Sequence, residues 1–179
     1  HRLDRETSGV LLLARTPEVY EFMKLQFQER EVRKVYRAFV HGNIRDDRGI
    51  IDKPIGNSRG GKGPRSVKSP HGTLRDALTA YRVIKRSTDA TYVEVFPKTG
   101  RTHQIRVHFS SIQRPVICDQ LYGPDRPDVL GLGRLALHAY TLTIQMPPST
   151  GSGQANGKEM TFTSPLPEEF VAAEGKLRE

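Results

Sequence analysis

The sequence contains little cysteine and no long hydrophobic run. Its single cysteine, Cys118, cannot form a disulfide within the chain, and this usage is typical of a reducing compartment. No apolar stretch approaches the length of a membrane span, and no signal-peptide pattern is visible. We therefore expect a cytoplasmic protein that does not associate with membranes. Cys118 lies in the apolar stretch PVICD and is predicted to be a small core residue.

Internal repeats are also absent, and the chain starts at His1 rather than at a methionine. This start predicts that the sequence comes from inside a longer protein. The length of 179 residues suits one domain, which we place at 1–179. Hydrophobic residues make up 36% of the chain and charged residues 27%, a balance that is typical of a folded protein and excludes a disordered one.

Basic residues outnumber acidic ones. The 28 lysines and arginines against 20 aspartates and glutamates give a formal net charge of +8 and a sequence pI of about 9.8. An excess of this size favours a polyanionic partner, with RNA or DNA as the first candidate. A basic protein without such a partner would show the same balance, so charge alone leaves both readings open.

The hydrophobic pattern predicts a mixed α+β fold. Thr16 followed by Pro17 is typical of a helix start, and the apolar run VLLLA reads as a buried strand. Strands are predicted at 10–14, 35–42, 77–85, 92–97 and 135–146, and helices at 17–30, 102–112 and 167–177. The stretch 52–70 predicts a basic loop with short extended pieces, and 151–157 predicts a hairpin tip. Because the elements do not alternate regularly, we expect a largely antiparallel sheet.

Four stretches concentrate polar residues beside core segments: HRLDRETSG at 1–9, RKVYRAFVHG at 33–42, KTGRTHQIRVH at 98–108 and RLALHAYTL at 134–142. In this order and at these separations they resemble the motifs of the RluA-type pseudouridine synthases, and the later stretch FTSPLPEEF resembles the family's C-terminal pattern. The resemblance runs from the first residue to about residue 170.

The resemblance implies a pseudouridine synthase fold, in which helices flank a mixed, largely antiparallel sheet around a central catalytic cleft. It also implies an isomerase that converts specific uridines of structured RNA, ribosomal or transfer, to pseudouridine. Such an enzyme uses no cofactor and no metal, and we expect it to act as a monomer. Family members carry part of the fold, and often an S4-like RNA-binding domain, before the first motif, so we expect a catalytic domain trimmed at its N-terminus.

Asp4, in HRLD, is the candidate nucleophile. An aspartate is ionised at neutral pH without a special environment, and aspartates form covalent intermediates in other enzymes. The resemblance makes Asp4 essential, but the residues leave open whether it attacks C1′ of the ribose, adds to C6 of the base or assists elimination. The alternative is a structural carboxylate that caps a turn or pairs with Arg2 or Arg5.

The resemblance assigns two further catalytic residues. Arg106 is expected to pair with Asp4, because an arginine stays charged and can hold both oxygens of a carboxylate that leaves water. Tyr36 is expected to stack on the uracil and to relay its C5 proton. The alternatives are a phosphate-binding arginine on a helix surface and a half-buried tyrosine of the sheet.

Residues beside these three are candidates for holding RNA. Arg2 is expected to fill the gap that the extruded uridine leaves, since extrusion costs stacking. The predicted substrate-binding set is Arg2, Lys34, Arg101, His103 and Gln104. Phosphate contacts are further expected from the helix and strand residues Lys24, Arg30, Arg33, Lys34 and Arg37 and from the loop residues Lys53, Arg59, Lys62, Arg65 and Lys68.

Three histidines invite a metal reading, but His103, His108 and His138 lack a completing set of cysteines or carboxylates. We expect them to be core or hydrogen-bonding residues. Two rival functions remain at this level. One is an RNA-binding ribosome-assembly or RNA-folding factor on the same scaffold. The other is a glycosidase-like hydrolase that uses Asp4 with Glu6, for which adjacent turn positions give a poor carboxylate separation.

Overall fold

A seven-stranded sheet forms the centre of the protein in the computed structural model, which describes residues 1–57, 64–68, 73–147 and 158–177. The strands are β1 (Ser8–Gly9), β2 (Arg33–His41), β3 (Arg48–Asp52), β6 (Leu78–Arg86), β7 (Ala90–Pro97), β8 (Leu137–Gln145) and β9 (Glu159–Thr163). Their order is β1-β8-β2-β7-β6-β3, and β9 also pairs with β8. The short strands β4 (Gly56–Asn57) and β5 (Arg65–Ser66) pair separately.

Every pairing in the large sheet is antiparallel except the parallel contact of β1 with β8. The helices are α1 (Pro17–Gln28), α2 (Gln104–Ser111) and α3 (Glu168–Lys176). This architecture confirms the α+β prediction with a largely antiparallel sheet. Within the described ranges, no helix combines the length and the apolar character that a membrane crossing requires.

The core lies where the central strands meet α2 and α3. Phe39 of β2 stacks on Tyr92 of β7 with ring centroids 4.3 Å apart, and Phe170 of α3 covers Phe39 at 5.4 Å. Phe109 of α2 is fully buried in the same cluster. Strand β7 is buried along almost its whole length, because it lies between β2 and β6 and α2 contacts it. Cys118 packs against this cluster but is only half-buried.

Helix α1 packs on the other side of β8. The hydroxyl of Thr16 accepts a hydrogen bond from the Val19 amide at 3.4 Å, which confirms the predicted start of the helix. Met23 joins Leu142 of β8 in a second apolar cluster. The buried amide of Gln26 bridges the backbone of Gln145 by accepting from its N–H and donating to its carbonyl. The helix is therefore fixed to the end of β8.

The prediction of a strand at 10–14 is wrong. The sheet pairing stops after β1, where the amide of Val10 donates to the carbonyl of Ala139. Beyond that point the chain leaves the sheet, so Leu11 and Leu13 are 49% and 77% exposed, whereas Val10 and Leu12 pack towards α1. Half of this apolar run therefore faces out, and its composition alone does not reveal that.

Strands β3 and β9 are absent from the sequence-based prediction. Both are short and border the sheet. The sequence of β3, RGIID, places its two isoleucines side by side, so it lacks the alternation of a half-buried strand. The sequence of β9, EMTFT, does alternate polar and apolar residues, and this signal was missed. The pairing of β4 with β5 confirms short extended pieces in the basic stretch 52–70. The predicted hairpin tip at 151–157 and the predicted phosphate contacts Arg59 and Lys62 lie outside the described residues.

Gly9 is needed where β1 meets β8. Its φ of +116° is in the region that favours glycine, and a Cβ added there would lie 2.1 Å from the carbonyl oxygen of Ala139. We therefore expect Gly9→Ala to destabilise the protein by about 3 kcal/mol, through backbone strain and a displaced strand. Urea unfolding measures this.

The matched control is Gly175→Ala, in α3, where an added Cβ meets nothing within 4 Å. That substitution should stabilise the protein by about 0.5–1 kcal/mol through helix propensity. If Gly9→Ala were as stable as the unaltered protein, the contact of β1 with β8 would be misassigned.

Candidate active site

A cleft of about 490 Å³ opens where the N-terminal loop, the first half of β2, the end of β7 and the start of α2 meet. The predicted site residues that line it are Arg2, Asp4, Lys34, Tyr36, Arg101, His103 and Gln104. Arg106 lies behind Asp4, outside the cleft lining. The fold therefore brings together three motifs that are far apart in the sequence.

The Asp4 carboxylate lies between two cationic or polar side chains from α2 and its N-cap. Its Oδ2 is 3.7 Å from Nη1 of Arg106, and its Oδ1 is 3.9 Å from Nε2 of His103. The side chain of Asp4 is 16% exposed. Among the residues that the structure describes, these are its ion-pair contacts, and neither Arg2 nor Arg5 is within 4.0 Å of it. A turn closed by Thr7 N–H on the Asp4 carbonyl carries the carboxylate into the cleft.

Arg106 has a closer partner than Asp4. Its Nε and Nη2 each donate to a different carboxylate oxygen of Asp119, both at 2.7 Å. Asp119 is fully buried, and its Oδ1 also accepts from the amides of Leu121 and Tyr122. Burial lowers the pKa of Arg106, but hydrogen bonding to Asp119 and its charge outweigh burial, so the pKa is raised from its ordinary value. The guanidinium that faces Asp4 is therefore permanently charged and rigidly held.

Sequence reasoning missed Asp119 and Tyr122. The guanidinium of Arg106 lies over the Tyr122 ring, 5.1 Å from its centroid, and the Tyr122 hydroxyl is 2.9 Å from Nδ1 of His103. Both residues belong to the stretch CDQLYG, whose aspartate directly follows a buried apolar run. An aspartate directly after a buried apolar run predicts a buried carboxylate, and a buried carboxylate needs a partner. This signal would have identified the stretch as a candidate part of the site.

Tyr36 lies in the wall of the cleft on the same side of β2 as Lys34. Burial, and next the charge of Asp4, raise the pKa of Tyr36 to about 12. The phenol is therefore protonated at neutral pH. Lys34 is half-buried, and this burial lowers the pKa of its ammonium group.

Arg37 is on the opposite side of β2, as alternation along a strand requires. It pairs with the buried Glu94 at 2.9 Å, and its guanidinium lies 4.7 Å from the centroid of the Tyr140 ring. The prediction that Arg37 contacts RNA phosphates is therefore wrong, because its guanidinium forms an ion pair with Glu94 within the sheet.

The other predicted phosphate contacts divide in the same way. Arg30 lines the cleft, together with the unpredicted Lys98. Lys24 pairs with Glu21 on α1, and Arg33 pairs with Glu159 of β9. Lys53 is turned towards α2, where its ammonium donates to the carbonyl of Ser111. Arg65 remains close to the cleft, with its guanidinium 3.5 Å from the Thr102 hydroxyl.

Gln104 lines the cleft but uses its amide within the protein. Its Oε1 accepts from the Thr99 hydroxyl and from the amide of Arg101, and its Nε2 donates to the Leu78 carbonyl and to the Thr79 hydroxyl. These four bonds fill the hydrogen-bonding capacity of the side chain. Gln104 thus ties the loop before α2 to β6. Its side chain has no further hydrogen-bonding group to offer a substrate.

The remaining predicted histidines are hydrogen-bonded in the interior, as expected. His108 contacts the Thr79 hydroxyl with Nδ1 and the Lys53 carbonyl with Nε2. His138 bridges Ser164 and Ser8, and the latter contact, 2.8 Å long, ties β1 to β8. Burial lowers the pKa of both histidines. Over the described parts of the chain, no three His, Cys, Asp or Glu side chains are grouped closely enough to hold a metal ion.

Comparison with known proteins gives consistent matches. The family model described as RNA pseudouridylate synthase matches residues 1–111. "Ribosomal large subunit pseudouridine synthase D" of Nitrosomonas europaea is 38% identical over 178 residues, which cover 96% of this chain and 48% of that protein. "Dual-specificity RNA pseudouridine synthase RluA" of Vibrio cholerae is 38% identical over 150 residues, covering 83% of this chain and 60% of that protein.

A solved structure has the same fold. The human protein "RNA Pseudouridylate Synthase Domain Containing 1" superposes with a TM-score of 0.76 at 31% identity, covering 93% of this chain and 68% of that one. The chain spans about half the length of the curated relatives it matches. The match of the family model over most of the chain, the level of identity and the shared fold lead to one assignment. The chain belongs to the RNA pseudouridine synthase family and is of the RluA type.

Proposed function

We propose that this chain is the catalytic domain of an enzyme that isomerises uridines of structured RNA to pseudouridine. The observation that carries the proposal is the placement of Asp4 in a cationic cleft, between Arg106 and His103 and near Tyr36. The names of the relatives refer to the ribosomal large subunit and to dual-specificity RNA modification. We therefore propose ribosomal or transfer RNA as the substrate.

The reaction requires one bond exchange and one proton exchange. The bond between C1′ of the ribose and N1 of the uracil breaks, and a bond between C1′ and C5 forms. C5 loses its proton and N1 gains one, so the atoms balance without a redox partner or an energy source. The enzyme must supply a carboxylate near the reacting sugar or ring, a surface that holds the detached base and a path for the proton.

Asp4 supplies the carboxylate. It faces the cleft at 16% exposure and has no closer ion-pair partner than Arg106 at 3.7 Å within the described structure, so its oxygens are available to a nucleotide. A carboxylate in such a site needs a compensating charge nearby. Arg106 provides that charge and cannot lose it, since Asp119 holds the guanidinium. The Asp4 carboxylate therefore lies beside a fixed positive charge where water is largely excluded.

Tyr36 supplies the surface for the base and the proton path. Its ring lines the cleft, and the high pKa of about 12 keeps the hydroxyl protonated, so it acts as a hydrogen-bonding relay rather than as a standing phenolate. Tyr36→Phe keeps the ring and removes the hydroxyl. We expect a fall in kcat of roughly 10²-fold or more, because general acid–base steps contribute about 10²–10⁴, with RNA affinity nearly unchanged.

Single-turnover assays and RNA-binding titrations on the same samples separate these two quantities. The matched control is Tyr20→Phe, which removes the same hydroxyl from a tyrosine of α1 that is 56% exposed. Tyr20→Phe should leave both quantities unchanged. A Tyr36→Phe variant with full kcat would limit Tyr36 to stacking.

Cations around the opening of the cleft fit the backbone of an RNA substrate. The described side chains that line it include a single carboxylate, that of Asp4, and five cations, Arg2, Arg30, Lys34, Lys98 and Arg101. Such contacts supply affinity that falls with salt concentration and little sequence information. The insertion of Arg2 in place of the extruded uridine belongs to the same proposal, since an arginine can both stack and contact phosphate.

We propose residues 1–179 as one catalytic domain that acts as a monomer; the N-terminal loop, β2, β7 and α2 all contribute residues to its cleft. The reducing environment that the lone half-buried Cys118 suggests supports action in the cytoplasm.

The proposed function is tested with RNA that carries tritium at C5 of its uridines. Isomerisation releases the tritium to water and leaves the RNA chain intact, with pseudouridine at the reacted positions. Release of free uracil would indicate a hydrolase instead. Tight RNA binding with neither product would indicate an RNA-binding factor on the same scaffold, and either result would overturn the proposal.

A further inference from the structure

The hydroxyl of the half-buried Tyr122 lies next to the proposed catalytic groups, and the proposed reaction does not use it. Its Oη is 2.9 Å from the backbone nitrogen of Arg65 and 2.9 Å from Nδ1 of His103. The ring packs edge-on against the His103 ring, with centroids 5.7 Å apart, and lies under the guanidinium of Arg106. Tyr122 thus touches both groups that face Asp4 without facing the carboxylate itself.

The direction of these hydrogen bonds follows from their chemistry. A backbone N–H can only donate, so the phenol oxygen accepts from Arg65. The phenol proton is then directed to His103 Nδ1, since no other acceptor among the described residues is within hydrogen-bonding distance of this hydroxyl. A neutral imidazole that accepts at Nδ1 carries its proton on Nε2. That nitrogen is the one 3.9 Å from Oδ1 of Asp4.

Both groups stay neutral in this arrangement. Burial lowers the pKa of His103, although the charge of Asp4 opposes the effect. Burial also raises the pKa of Tyr122 to about 12. The hydrogen bonds that join Arg65, Tyr122 and His103 therefore turn a neutral N–H towards the carboxylate of Asp4, 3.9 Å away, rather than a second full positive charge.

The backbone at His103 supports a fixed orientation of its ring. His103 has a φ of +56°, which is uncommon for a residue other than glycine, and it immediately precedes α2, where its carbonyl accepts from Val107 N–H at 2.9 Å. Strained conformations of this kind persist where the surrounding structure holds a side chain in place. Here Tyr122 is the group that holds the ring.

We propose that Tyr122 is a positioning residue that orients Asp4 through His103 and Arg106. Asp119 and Tyr122 belong to one turn, 119–122, in which Asp119 accepts from the amide of Tyr122. Asp119 holds Arg106 and Tyr122 holds His103, so this turn positions both side chains that face the carboxylate of Asp4. The inference rests on the proposed function for its kinetic consequence. The hydrogen-bond chain itself does not depend on which reaction the cleft performs.

The test is Tyr122→Phe, which keeps the ring over Arg106 and removes only the hydroxyl. We expect kcat to fall about tenfold, since small misplacements of a reacting group have effects of this size or larger. KM for RNA should stay within about twofold, because Tyr122 is not among the residues that line the cleft. Tyr20→Phe is the matched control and should change neither parameter.

The second measurement is the tautomer of His103, read from imidazole ¹⁵N shifts of the labelled full chain and assigned by the loss of its signals in His103→Gln. The unaltered protein should show a protonated Nε2 and an accepting Nδ1. Tyr122→Phe should shift this towards a mixture of tautomers. A purely structural tyrosine would move stability but not this signature.

Two results would overturn the proposal. One is a proton on Nδ1 of His103 in the unaltered protein, and the other is a Tyr122→Phe variant with unchanged tautomer and unchanged kcat. If the unaltered protein released no tritium from the RNA, the proposed function would fail. The tautomer measurement would still decide by itself whether Tyr122 orients the ring beside Asp4.

Discussion

Replacing Asp4 by asparagine is expected to abolish pseudouridine formation, with a fall in rate of roughly 10⁴-fold or more, as for other nucleophiles removed from covalent mechanisms. Asparagine has nearly the same shape, so the turn closed by Thr7 and the contact with β8 remain. What is lost is the negative charge between Arg106 and His103. The measurement is single-turnover tritium release from C5-labelled RNA at saturating protein.

RNA affinity should be retained or slightly increased in Asp4→Asn. The cleft lining carries several cations, and Asp4 is the only acidic side chain among its described residues, so the substitution removes a group that repels phosphate. Full RNA binding without turnover in Asp4→Asn would identify an enzyme. An RNA-binding factor would show the same RNA binding, and no turnover, with aspartate or asparagine at position 4. Urea unfolding should show a variant about as stable as the unaltered protein.

Glu6→Gln is the matched control, because it neutralises another carboxylate of the same loop. Glu6 is exposed, does not line the cleft and contributes its backbone carbonyl, not its side chain, to a hydrogen bond with Arg134. We expect full activity. Loss of activity in Glu6→Gln would favour a two-carboxylate hydrolase, and persistence of pseudouridine in Asp4→Asn would remove Asp4 from the chemistry.

Helix positions were predictable because their signals are local. The helix at 17–30 has an N-cap, a proline in its first turn and apolar residues at helical spacing, and the structure forms α1 over Pro17–Gln28. The strand VLLLA failed for the opposite reason. A short apolar run shows no periodicity that separates a strand from a loop. The pairing of β1 with β8 ends at Gly9, before this run starts, and Leu11 and Leu13 face solvent.

The cleft was predictable from ordered motifs, whereas its supports were not. Asp4, Tyr36 and Arg106 stand in recognisable stretches, but the partner of Arg106 is 13 positions further along the chain, in a segment without a motif of its own. Its role exists only once α2 packs beside the turn 119–122. Arg37 was misassigned for the same reason, because its partner is distant in the sequence. The sequence predicted an RNA contact, whereas the guanidinium pairs with Glu94 on the neighbouring strand.

Removal of the Asp119 carboxylate is expected to have the largest effect on stability. Arg106 is 8% exposed, and Asp119→Ala leaves its guanidinium with Asp4 at 3.7 Å as its nearest acid. Two backbone amides of the turn lose their acceptor as well. Breaking a buried ion pair from one side typically costs about 3–5 kcal/mol. That is a large share of the stability of a domain, about 5–15 kcal/mol, and urea unfolding measures it.

Asp47→Ala is the control for the loss of an acid alone. Asp47 pairs with Arg86, but its side chain is 83% exposed, so the substitution should change stability by no more than about 0.5 kcal/mol. Equal effects of Asp47→Ala and Asp119→Ala would contradict the buried pair.

A double-mutant cycle isolates the pair from the other bonds of Asp119. Arg106→Met with Asp119→Ala removes both charges, whereas the lost amide acceptors are common to the single and the double variant. We expect a coupling of about 2–3 kcal/mol, so that the double variant is more stable than the two single effects predict. Activity should not recover with stability, because Asp4 then faces the cleft without a guanidinium behind it. A double variant that regained both would show that Arg106 serves the fold alone.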